Sequence, residues 1–340
     1  MAGRGGTQRR RPTIRDVADA AGVSRGTVSR VINGGHWVSP ESEAKVRAAI
    51  SLTGYQANQA ARSLASGRSG SVGFLLSEPQ QLLFSDPNFA VLLREATRVL
   101  AEHDIPLLLM LASTQQERRR IARYIDAGHV DGVLLISPHR SDPLLRMLVD
   151  RRLPAVCCGK PLGMEGRMPY VAADDYQGGA DMTTHLLGLG YQRIAMIAGP
   201  EDMSGGVERL AGYRAVLGES ADPRLVALGD YSRQSGARAM AELLDRDIPI
   251  DAVFAASDLM AAGAMDLLHE RDVSIPGDIA VTGFDDTGLA ATLKPALTTM
   301  HQPFDRIANE MVRLLLAAID EAEPPSAILL PATLVRRLSD

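Results

Sequence analysis

The chain has 340 residues, of which 46% are hydrophobic and 23% charged, a composition typical of a globular protein with two or three domains. No run approaches the roughly 18 apolar residues of a membrane span, and the N-terminus lacks the apolar core of a signal peptide. The only two cysteines, Cys157 and Cys158, are adjacent and cannot pair in an unstrained disulfide. We therefore expect a protein of the reducing cytoplasm with no membrane partner.

The net charge of −5 is unevenly distributed along the chain. Residues 1–68 contain 11 basic and 4 acidic residues, a net charge of +7, whereas the remainder contains 25 basic and 37 acidic residues, a net charge of −12. A basic N-terminal module on an acidic body is typical of a protein that docks one end on a polyanion. Residues 1–12, mainly Gly and Arg, are predicted to form a disordered basic arm.

Residues 13–33 predict two short helices joined by a tight turn. Behind Thr13 as N-cap, the first helix has apolar residues at helical spacing, namely Ile14, Val17, Ala18 and Ala21. Gly22 tolerates the backbone that ends this helix, and Ser24 can cap the next one, which begins near Arg25. The second helix leaves a polar outer face of Arg25, Gly26, Thr27, Ser29, Arg30 and Asn33. Such a face suits phosphate oxygens and base edges, although an ordinary helical hairpin with a solvated face shares the pattern.

A third helix is predicted after a loop, with Ser39 as N-cap, Pro40 as first residue and Glu43 at the spacing of a capping box. We expect residues 13–57 to form one domain, with a three-helix core closed by Val46, Ala49, Ile50 and Leu52. Trp37, the only Trp, is expected to cover that core, and contact with the DNA backbone is the alternative.

Residues 58–70 join a short helical run to a Gly/Ser-rich end and are predicted to be a linker. From Ser71 onward, buried-strand runs alternate with amphipathic helices, first from VGFLLS to LPAVCCG and again from GGADMTTHLLGLG to IAVTGFD. This alternation predicts two doubly wound parallel-sheet lobes within residues 71–340. The carboxyl ends of their strands should face a shared ligand cleft.

Several longer motifs occur together in a fixed order. The N-terminal part contains TIRDVADAAGVSRGTVSRVIN, VSPESEAKV, GYQAN and AARSLAS, and the remainder contains HLLGLGYQRIAMIAGP, RLAGYRAVL, SDLMAAGAM, IPGDIAVTGFDD, LTTMHQP and LVRRLSD. In these motifs the chain resembles the LacI/GalR family of bacterial transcriptional regulators from about Thr13 to the C-terminus. The resemblance implies an all-α helix-turn-helix headpiece with a hinge helix, followed by a two-lobed α/β body like that of periplasmic binding proteins.

The function that the resemblance implies is sequence-specific transcriptional regulation, most simply repression. A homodimer would bind a near-palindromic site on double-stranded operator DNA, because one headpiece reads only half of such a site. A small effector in the cleft would rotate the N-terminal lobes of the two subunits and decide whether the hinge helices can form. No leucine heptad follows the last strand-like segment, so we expect a dimer rather than a tetramer.

The resemblance also implies which residues contact DNA. Base-reading positions would be held by Arg25, Gly26 and Arg30, phosphate contacts by Thr27, Ser29 and Asn33, and helix-start contacts by Thr13 and Ser39. Gly26 departs from the polar residue common at its position, so specificity should depend mainly on Arg25, which can bond guanine O6 and N7 together. On the hinge helix, Asn58 and Ala61 would accompany Leu64, which would wedge into the central minor-groove step. Packing of Leu64 on the neighbouring domain is the alternative.

The effector contacts implied by the resemblance are Asn88, Phe89, Asp174, Arg209, Tyr231, Ser257 and Asp285. The Arg and Asp would hold hydroxyls or charged groups of the effector, and the aromatics would stack on its ring. An Arg–Asp salt bridge is the structural alternative, and Asp258 and Asp286 are expected to cap helices. Ser257 replaces the Asn usual in the family, so the effector stays open between a sugar or sugar derivative and a nucleobase.

Two other classes of function compete with a regulator. A sugar-binding transport component would share the two-lobed body, but the missing signal peptide and the basic headpiece count against it. An enzyme would need chemistry that the sequence does not display: we find no Walker loop, no dinucleotide-binding glycine motif, no nucleophile elbow and no His/Cys cluster with metal spacing. We therefore expect no catalysis, no metal and no cofactor besides the effector.

Overall fold

A computed structural model of the chain describes residues 12–32, 37–55, 67–322 and 327–340. The chain divides into two compact units, residues 1–70 and residues 71–340. No helix among the described residues is long and apolar enough to cross a membrane. Most of the expected basic arm and four of the expected DNA contacts lie outside the described residues; those contacts are Asn33, Asn58, Ala61 and Leu64.

The first unit contains three helices, α1 (Ile14–Ala21), α2 (Arg25–Ile32) and α3 (Pro40–Thr53). Gly22 ends α1 in the left-handed conformation, with φ 66° and ψ 33°. The Ser24 hydroxyl accepts the Thr27 N–H at 3.1 Å at the start of α2. The helices enclose a small core of Val17, Ala18, Val28, Val46 and Ala49. Local signals for helix ends and a shared apolar face therefore produce the helix-turn-helix geometry.

Three expectations for this unit were wrong. Leu52 is 83% exposed because it follows Val46 by six residues, about 120° around the helix from the buried face. Trp37 is 96% exposed, since the small core is filled without it. Ser39 caps α3 by accepting the Ser42 N–H at 3.2 Å, whereas Glu43 lies one residue too far for a capping box and instead pairs with Arg47 at 2.6 Å.

The second unit has two lobes. The first lobe begins with β1 (Val72–Leu76), α4 (Gln80–Ser85), α5 (Pro87–Ala101), β2 (Leu107–Leu111), α6 (Gln115–Asp126), β3 (Gly132–Ile136), α7 (Pro143–Asp150), β4 (Ala155–Cys158) and β5 (Tyr170–Ala173). The second lobe follows with α8 (Asp175–Gly188), β6 (Ile194–Ala198), α9 (Ser204–Leu217), β7 (Val226–Leu228), α10 (Arg233–Asp245), β8 (Ala252–Ala255), α11 (Asp258–Glu270), β9 (Ala280–Asp285), α12 (Leu289–Thr292) and β10 (Thr298–His301). The chain ends with α13 (Phe304–Ile319), β11 (Ala327–Leu330) and β12 (Thr333–Val335).

The described residues form two six-stranded sheets with matching topology, ordered β11-β5-β4-β3-β1-β2 and β12-β10-β9-β8-β6-β7. The described strand pairs are parallel except β10 with β12, which are antiparallel. Strands β1, β3, β6 and β9 are buried along their whole length, because helices cover both faces of each sheet. This architecture confirms the predicted fold class.

The alternation of strands and helices predicted that the chain completes the first lobe before it enters the second. The structure differs from this prediction. After β10 the chain returns to the first lobe, where α13 packs against α5 and the sheet and β11 pairs with β5. It then crosses back to the second lobe as β12. The chain therefore passes between the lobes three times, after β5, after β10 and after β11.

Candidate effector cavity and DNA-binding face

A cavity of about 860 Å³, including its open mouth, lies between the two lobes at the carboxyl ends of their strands. Segments that follow β1, β3 and β4 form one wall, and segments that follow β6, β7, β8 and β9 form the other. This is the position at which doubly wound sheets bind ligands. Six of the seven expected effector contacts line the cavity: Asn88, Phe89, Arg209, Tyr231, Ser257 and Asp285.

Asp174 is the exception. Its carboxylate turns back onto its own helix and caps α8, where it accepts the Gln177 N–H at 3.0 Å. The next residue, Asp175, is buried and lines the cavity instead. At the start of a helix, adjacent residues point in directions about 100° apart, so an error of one residue selects the wrong side chain.

Arg209 is the central cation of the cavity and is 6% exposed. Its Nε and Nη2 both lie 2.8 Å from Asp175 Oδ1, and its Nη1 donates to the Ala256 carbonyl at 2.5 Å. The guanidinium lies 3.8 Å from the centre of the Phe284 ring, and its Nη1 lies 3.9 Å from Asp285. Burial opposes the charge, but Asp175 and other neighbours outweigh burial and raise the pKa of Arg209. The salt-bridge alternative therefore describes Arg209 with Asp175 better than Arg209 with Asp285.

Asp285 and Asp86 are acids whose environment disfavours their charged form. Asp285 is buried and accepts the Gln302 side-chain N–H at 2.6 Å. Burial raises the pKa of Asp285 to about 6. Burial, followed by repulsion from Asp285, raises the pKa of Asp86 to about 7, even though Asp86 accepts the Asn88 backbone N–H at 2.9 Å.

Asn88 presents a buried acceptor to this cavity. Its Oδ1 is buried and has no hydrogen-bond partner among the residues that the structure describes. The Asn88 side chain also lowers the pKa of the Asp285 carboxyl, against the larger effect of burial. A buried amide oxygen without a partner is costly, and a ligand hydroxyl in the cavity would satisfy it.

Several cavity residues have positive φ angles, which are uncommon for residues with side chains. Tyr231 has φ 67° and Asp285 has φ 134°. Strained backbone of this kind concentrates at ligand sites, where surrounding structure holds it. The Tyr231 ring packs against Gly199, where a Cβ would lie 2.4 Å from the Tyr231 hydroxyl oxygen, so no larger side chain fits there without displacing the ring. Burial also raises the pKa of the Tyr231 hydroxyl, so it stays a neutral hydrogen-bonding group.

Asp258 and Asp286, which were expected to cap helices, do not. The Ser257 hydroxyl caps α11 by accepting the Met260 N–H at 3.2 Å. Asp258 is buried and accepts the Thr299 hydroxyl at 2.5 Å and the Asp286 N–H at 2.8 Å. Asp286 pairs with Arg337 at 2.6 Å. These contacts join the ends of β9 and β10 to α11.

The polar lining also contains residues that were not singled out from the sequence: Glu78, Asp86, Asp175, Ser204 and Gln302. Only Asp86, in a DP pair before a helix, and Asp175, beside a predicted contact, carried a local signal. Two ion pairs next to the cavity connect the lobes: His139 with Asp202 at 2.8 Å and Lys160 with Glu208 at 2.8 Å. Hydrogen bonds to Glu78 and Asp202 raise the pKa of His139 to about 9 despite its partial burial. In the described residues no group of His, Cys, Asp and Glu side chains could hold a metal ion.

In the first unit, α2 presents Arg25, Gly26 and Arg30 to solvent, while Thr27 and Ser29 are half-buried. The Thr13 hydroxyl donates to Asp16 at 2.7 Å, and the exposed Ser39 caps α3. A side chain at position 26 would meet only the Ser24 hydroxyl, at the ordinary contact distance of 3.6 Å. The exposed face of α2 therefore offers two guanidinium groups and open space between them.

Comparisons with known proteins match both units. The family described as "Bacterial regulatory proteins, lacI family" matches residues 13–58, and "Periplasmic binding protein-like domain" matches residues 183–339. The HTH-type transcriptional regulator CelR of Thermobifida fusca is 44% identical over 335 residues, covering 97% of this chain and 98% of CelR. The Ribose operon repressor of Escherichia coli (strain K12) is 33% identical over 321 residues, covering 91% of this chain and 93% of the repressor.

Solved structures give the same correspondence along the chain. A structure of the transcriptional regulator CelR–cellobiose complex has a TM-score of 0.77 at 42% identity, covering 97% of this chain and 100% of that one. A structure of the lac repressor dimer bound to operator and the anti-inducer ONPF has a TM-score of 0.84 at 27% identity, covering 97% of this chain and 99% of that one.

Proposed function

The chain belongs to the LacI family of bacterial regulatory proteins, which are DNA-binding transcriptional regulators, and from this premise we propose how its two units work together. A homodimer binds a near-palindromic operator through the first unit, and a sugar bound in the cavity of the second unit changes the affinity for DNA. The relatives named above are regulators rather than enzymes. A protein that acts on bacterial operators works in the cytoplasm, and the sugar is the only small molecule that this function requires.

The observation that supports this function best is the joining of a helix-turn-helix unit to a cavity lined by both lobes. A ligand held by residues from both walls, such as Asn88 and Arg209, binds one arrangement of the lobes better than another. DNA and sugar then influence each other reciprocally. To change operator occupancy from nearly full to nearly empty, the sugar must prefer one state by about four orders of magnitude.

Each segment has a role in this proposal. Residues 1–12 form a basic arm, residues 13–57 bind DNA, residues 58–70 form the hinge, and residues 71–340 bind the effector and dimerise. Arg25 and Arg30 read base edges on either side of Gly26. Thr13, Thr27, Ser29, Asn33 and Ser39 position the helices on phosphates, and Asn58, Ala61 and Leu64 contact the minor groove.

The first sugar to test is cellobiose, because the CelR structure is described as a cellobiose complex. Fluorescence anisotropy of labelled DNA from the promoter of the protein's own gene should show saturable binding by the purified protein. Titration of cellobiose, ribose or galactose should then shift the apparent Kd for DNA at a fixed salt concentration. The lack of any binding to promoter DNA, or of any sugar-dependent shift, would contradict the proposed function.

A further inference from the structure

Two neighbouring helices of the first lobe carry a group of exposed arginines. Helices α6 and α7 pack on the same side of the first sheet, where Ile125, Leu144 and Leu148 belong to one core cluster. Packed helices lie about 8–10 Å apart, so their outer sides form one continuous surface. On these outer sides and directly after α7 lie six exposed residues that we call the arginine face: Arg119, Arg120, Arg123, Arg146, Arg151 and Arg152.

The acidic residues of α6 and α7 do not neutralise this face. Asp126 pairs with Arg151 at 3.3 Å, and Asp150 pairs with Arg167, outside the face, at 3.4 Å. Glu117 accepts the N–H of the residue that caps α6 at 2.9 Å. Five members of the face form no ion pair within the described part of the chain: Arg119, Arg120, Arg123, Arg146 and Arg152.

The other side of the same lobe is different. There α5 and α13 also expose three arginines, Arg94, Arg98 and Arg313, but each of them pairs with a nearby glutamate at 2.7 to 3.0 Å. The chain after residue 68 carries a net charge of −12, so the arginine face is opposite in sign to the protein around it. Like charges that lie together without partners repel each other, and an anionic partner would relieve this repulsion.

The shape of the arginine face suits a long polyanion better than a small anion. None of its six residues lines the cavity, and small anions need a concave site that removes them from water. Arg119 and Arg123 are one helical turn apart, about 6 Å along the axis, and α7 runs beside them. Guanidinium groups can bind phosphates through two hydrogen bonds each. A duplex carries about one phosphate charge per 1.7 Å of its axis, so it can meet several of these groups at once.

The connection between the two units favours DNA over other polyanions. The Ser71 hydroxyl donates to the His129 carbonyl at 2.8 Å, three residues after the end of α6. The chain therefore enters the second unit beside the C-terminal end of this helix. The preceding linker, residues 58–70, can span at most about 45 Å. A duplex bound by the first unit thus presents its phosphates to the second at an effective concentration of about millimolar order, which a free acidic protein does not reach.

We propose that the arginine face binds backbone phosphates of the operator duplex outside the two half-sites that the first unit reads. The inference rests on the proposed function, because the first unit must hold the operator. It adds a second DNA-binding surface, on the body of the protein, that recognises charge and not sequence. Each subunit then gains affinity from DNA that flanks the operator, and this gain depends on the length of the duplex and on salt concentration.

Fluorescence anisotropy with two lengths of promoter DNA tests the inference on the full-length protein. The short duplex has about 20 base pairs, which covers two half-sites one helical turn apart. The long duplex extends about 30 base pairs, roughly 100 Å, further on each side. The variant combines Arg119→Gln, Arg120→Gln and Arg123→Gln, since glutamine retains helix propensity without the charge. It should lose about 10-fold in affinity for the long duplex at 50 mM salt and less than about twofold for the short one.

A matched variant controls for the change in net charge. It combines Arg94→Gln, Arg98→Gln and Arg313→Gln, which remove the same number of charges from the other side of the lobe. Its affinities for the two duplexes should change by the same factor, less than about threefold. The slope of log K against log salt concentration on the long duplex should become shallower by about 2 for the arginine-face variant only, since each phosphate contact contributes about 0.9. Circular dichroism melting establishes that both variants fold.

Three results would overturn the inference. The arginine-face variant could lose no more affinity for the long duplex than the control does, or it could lose affinity equally for both duplexes. It could also change its oligomeric state in sedimentation velocity, which would assign the face to a contact between subunits. All three leave the proposed function standing if the wild type binds the short duplex. Failure of the wild type to bind either duplex would instead contradict the proposed function, so the two failures are distinguishable.

Discussion

The two units of the chain place their charges in opposite environments. In the first unit Arg25 and Arg30 are exposed on one helix, free to meet a partner from solvent. In the second unit Arg209, Asp175 and Asp285 are buried around a cavity and already contact one another. The first arrangement suits a long polyanion recognised at a surface, and the second suits a small molecule that is desolvated as it binds. Substitutions and solution conditions should therefore affect the two units differently.

Salt concentration should separate them most strongly. For a protein with about 6–10 phosphate contacts, affinity for DNA falls by roughly 10³–10⁵ between 50 and 200 mM salt because counterions are released. Binding of a neutral sugar releases none, so its Kd should stay within about twofold. Anisotropy for DNA and calorimetry for the sugar, run over the same salt series, measure both slopes. If the affinities for DNA and for sugar fell equally with salt concentration, the proposed difference between the two units would be wrong.

Replacing Arg209 should produce the next largest effect. Arg209→Ala leaves Asp175 buried without its partner, and breaking a buried pair in this way costs about 3–5 kcal/mol. Urea unfolding followed by far-ultraviolet circular dichroism measures the loss in the second unit. Hydrogen exchange of the amides of α1, α2 and α3, read by mass spectrometry, follows the first unit, where no loss is expected. Arg233→Ala, which removes an exposed pair with Asp266, is the control and should cost about 1 kcal/mol or less.

The raised pKa values of the cavity acids predict how stability depends on pH. Because the folded state raises the pKa of Asp86 from 3.8 to about 7, it binds a proton more readily than the unfolded chain. The contribution of Asp86 to stability is therefore greatest below pH 4 and is lost progressively as pH rises to about 7. Asp86→Asn keeps a cap for the Asn88 N–H and removes the charge.

This variant should be more stable than the wild type by about 1–4 kcal/mol at pH 8, since one pKa unit corresponds to about 1.4 kcal/mol. The gain should shrink towards pH 4. Urea unfolding at a series of pH values measures it, with Asp305→Asn on the exposed start of α13 as the control. A gain that does not change with pH would show that the Asp86 charge is not responsible.

The smallest effect concerns Gly26. Its helical position has space for a Cβ, whose nearest neighbour would lie at 3.6 Å, so Gly26→Ala should stabilise the first unit by about 0.5–1 kcal/mol. Hydrogen exchange of the amides of α1, α2 and α3 measures this gain. Because position 26 lies on the exposed face between two Arg residues, the same variant should also alter the ranking of half-site sequences. Loss of stability would indicate that α2 needs the flexibility of glycine.

The sequence predicts best those features that short stretches determine. Gly22 ends α1 and Ser24 caps the start of α2, as their residue types predict. The uniformly apolar runs of β1, β3 and β6 likewise predict strands that are buried on both faces. The sequence predicts burial wrongly where burial depends on the direction in which a side chain points. Trp37 and Leu52 are apolar yet exposed, since residue type does not indicate which side of a helix or loop meets the core.

The cavity shows the same limit. Family resemblance supplied Arg209, Tyr231 and Asp285, which line it, but chose Asp174 where its neighbour Asp175 lines the wall. The partner of Arg209 was missed because Asp175 is 34 residues away in the chain and no local pattern joins them. The pairs between lobes, such as Lys160 with Glu208, are likewise products of tertiary packing.

The triple passage of the chain between the lobes has a consequence for how such proteins can diversify. The first lobe needs α13 and β11 from the far end of the chain to complete its sheet and cover one face. A single recombination event between two relatives at the end of β5 would join five of the six strands of the first lobe to a foreign closing helix and edge strand. New effector specificities should therefore arise by substitutions along the cavity wall, whereas the first unit, encoded by one continuous segment, can be exchanged whole.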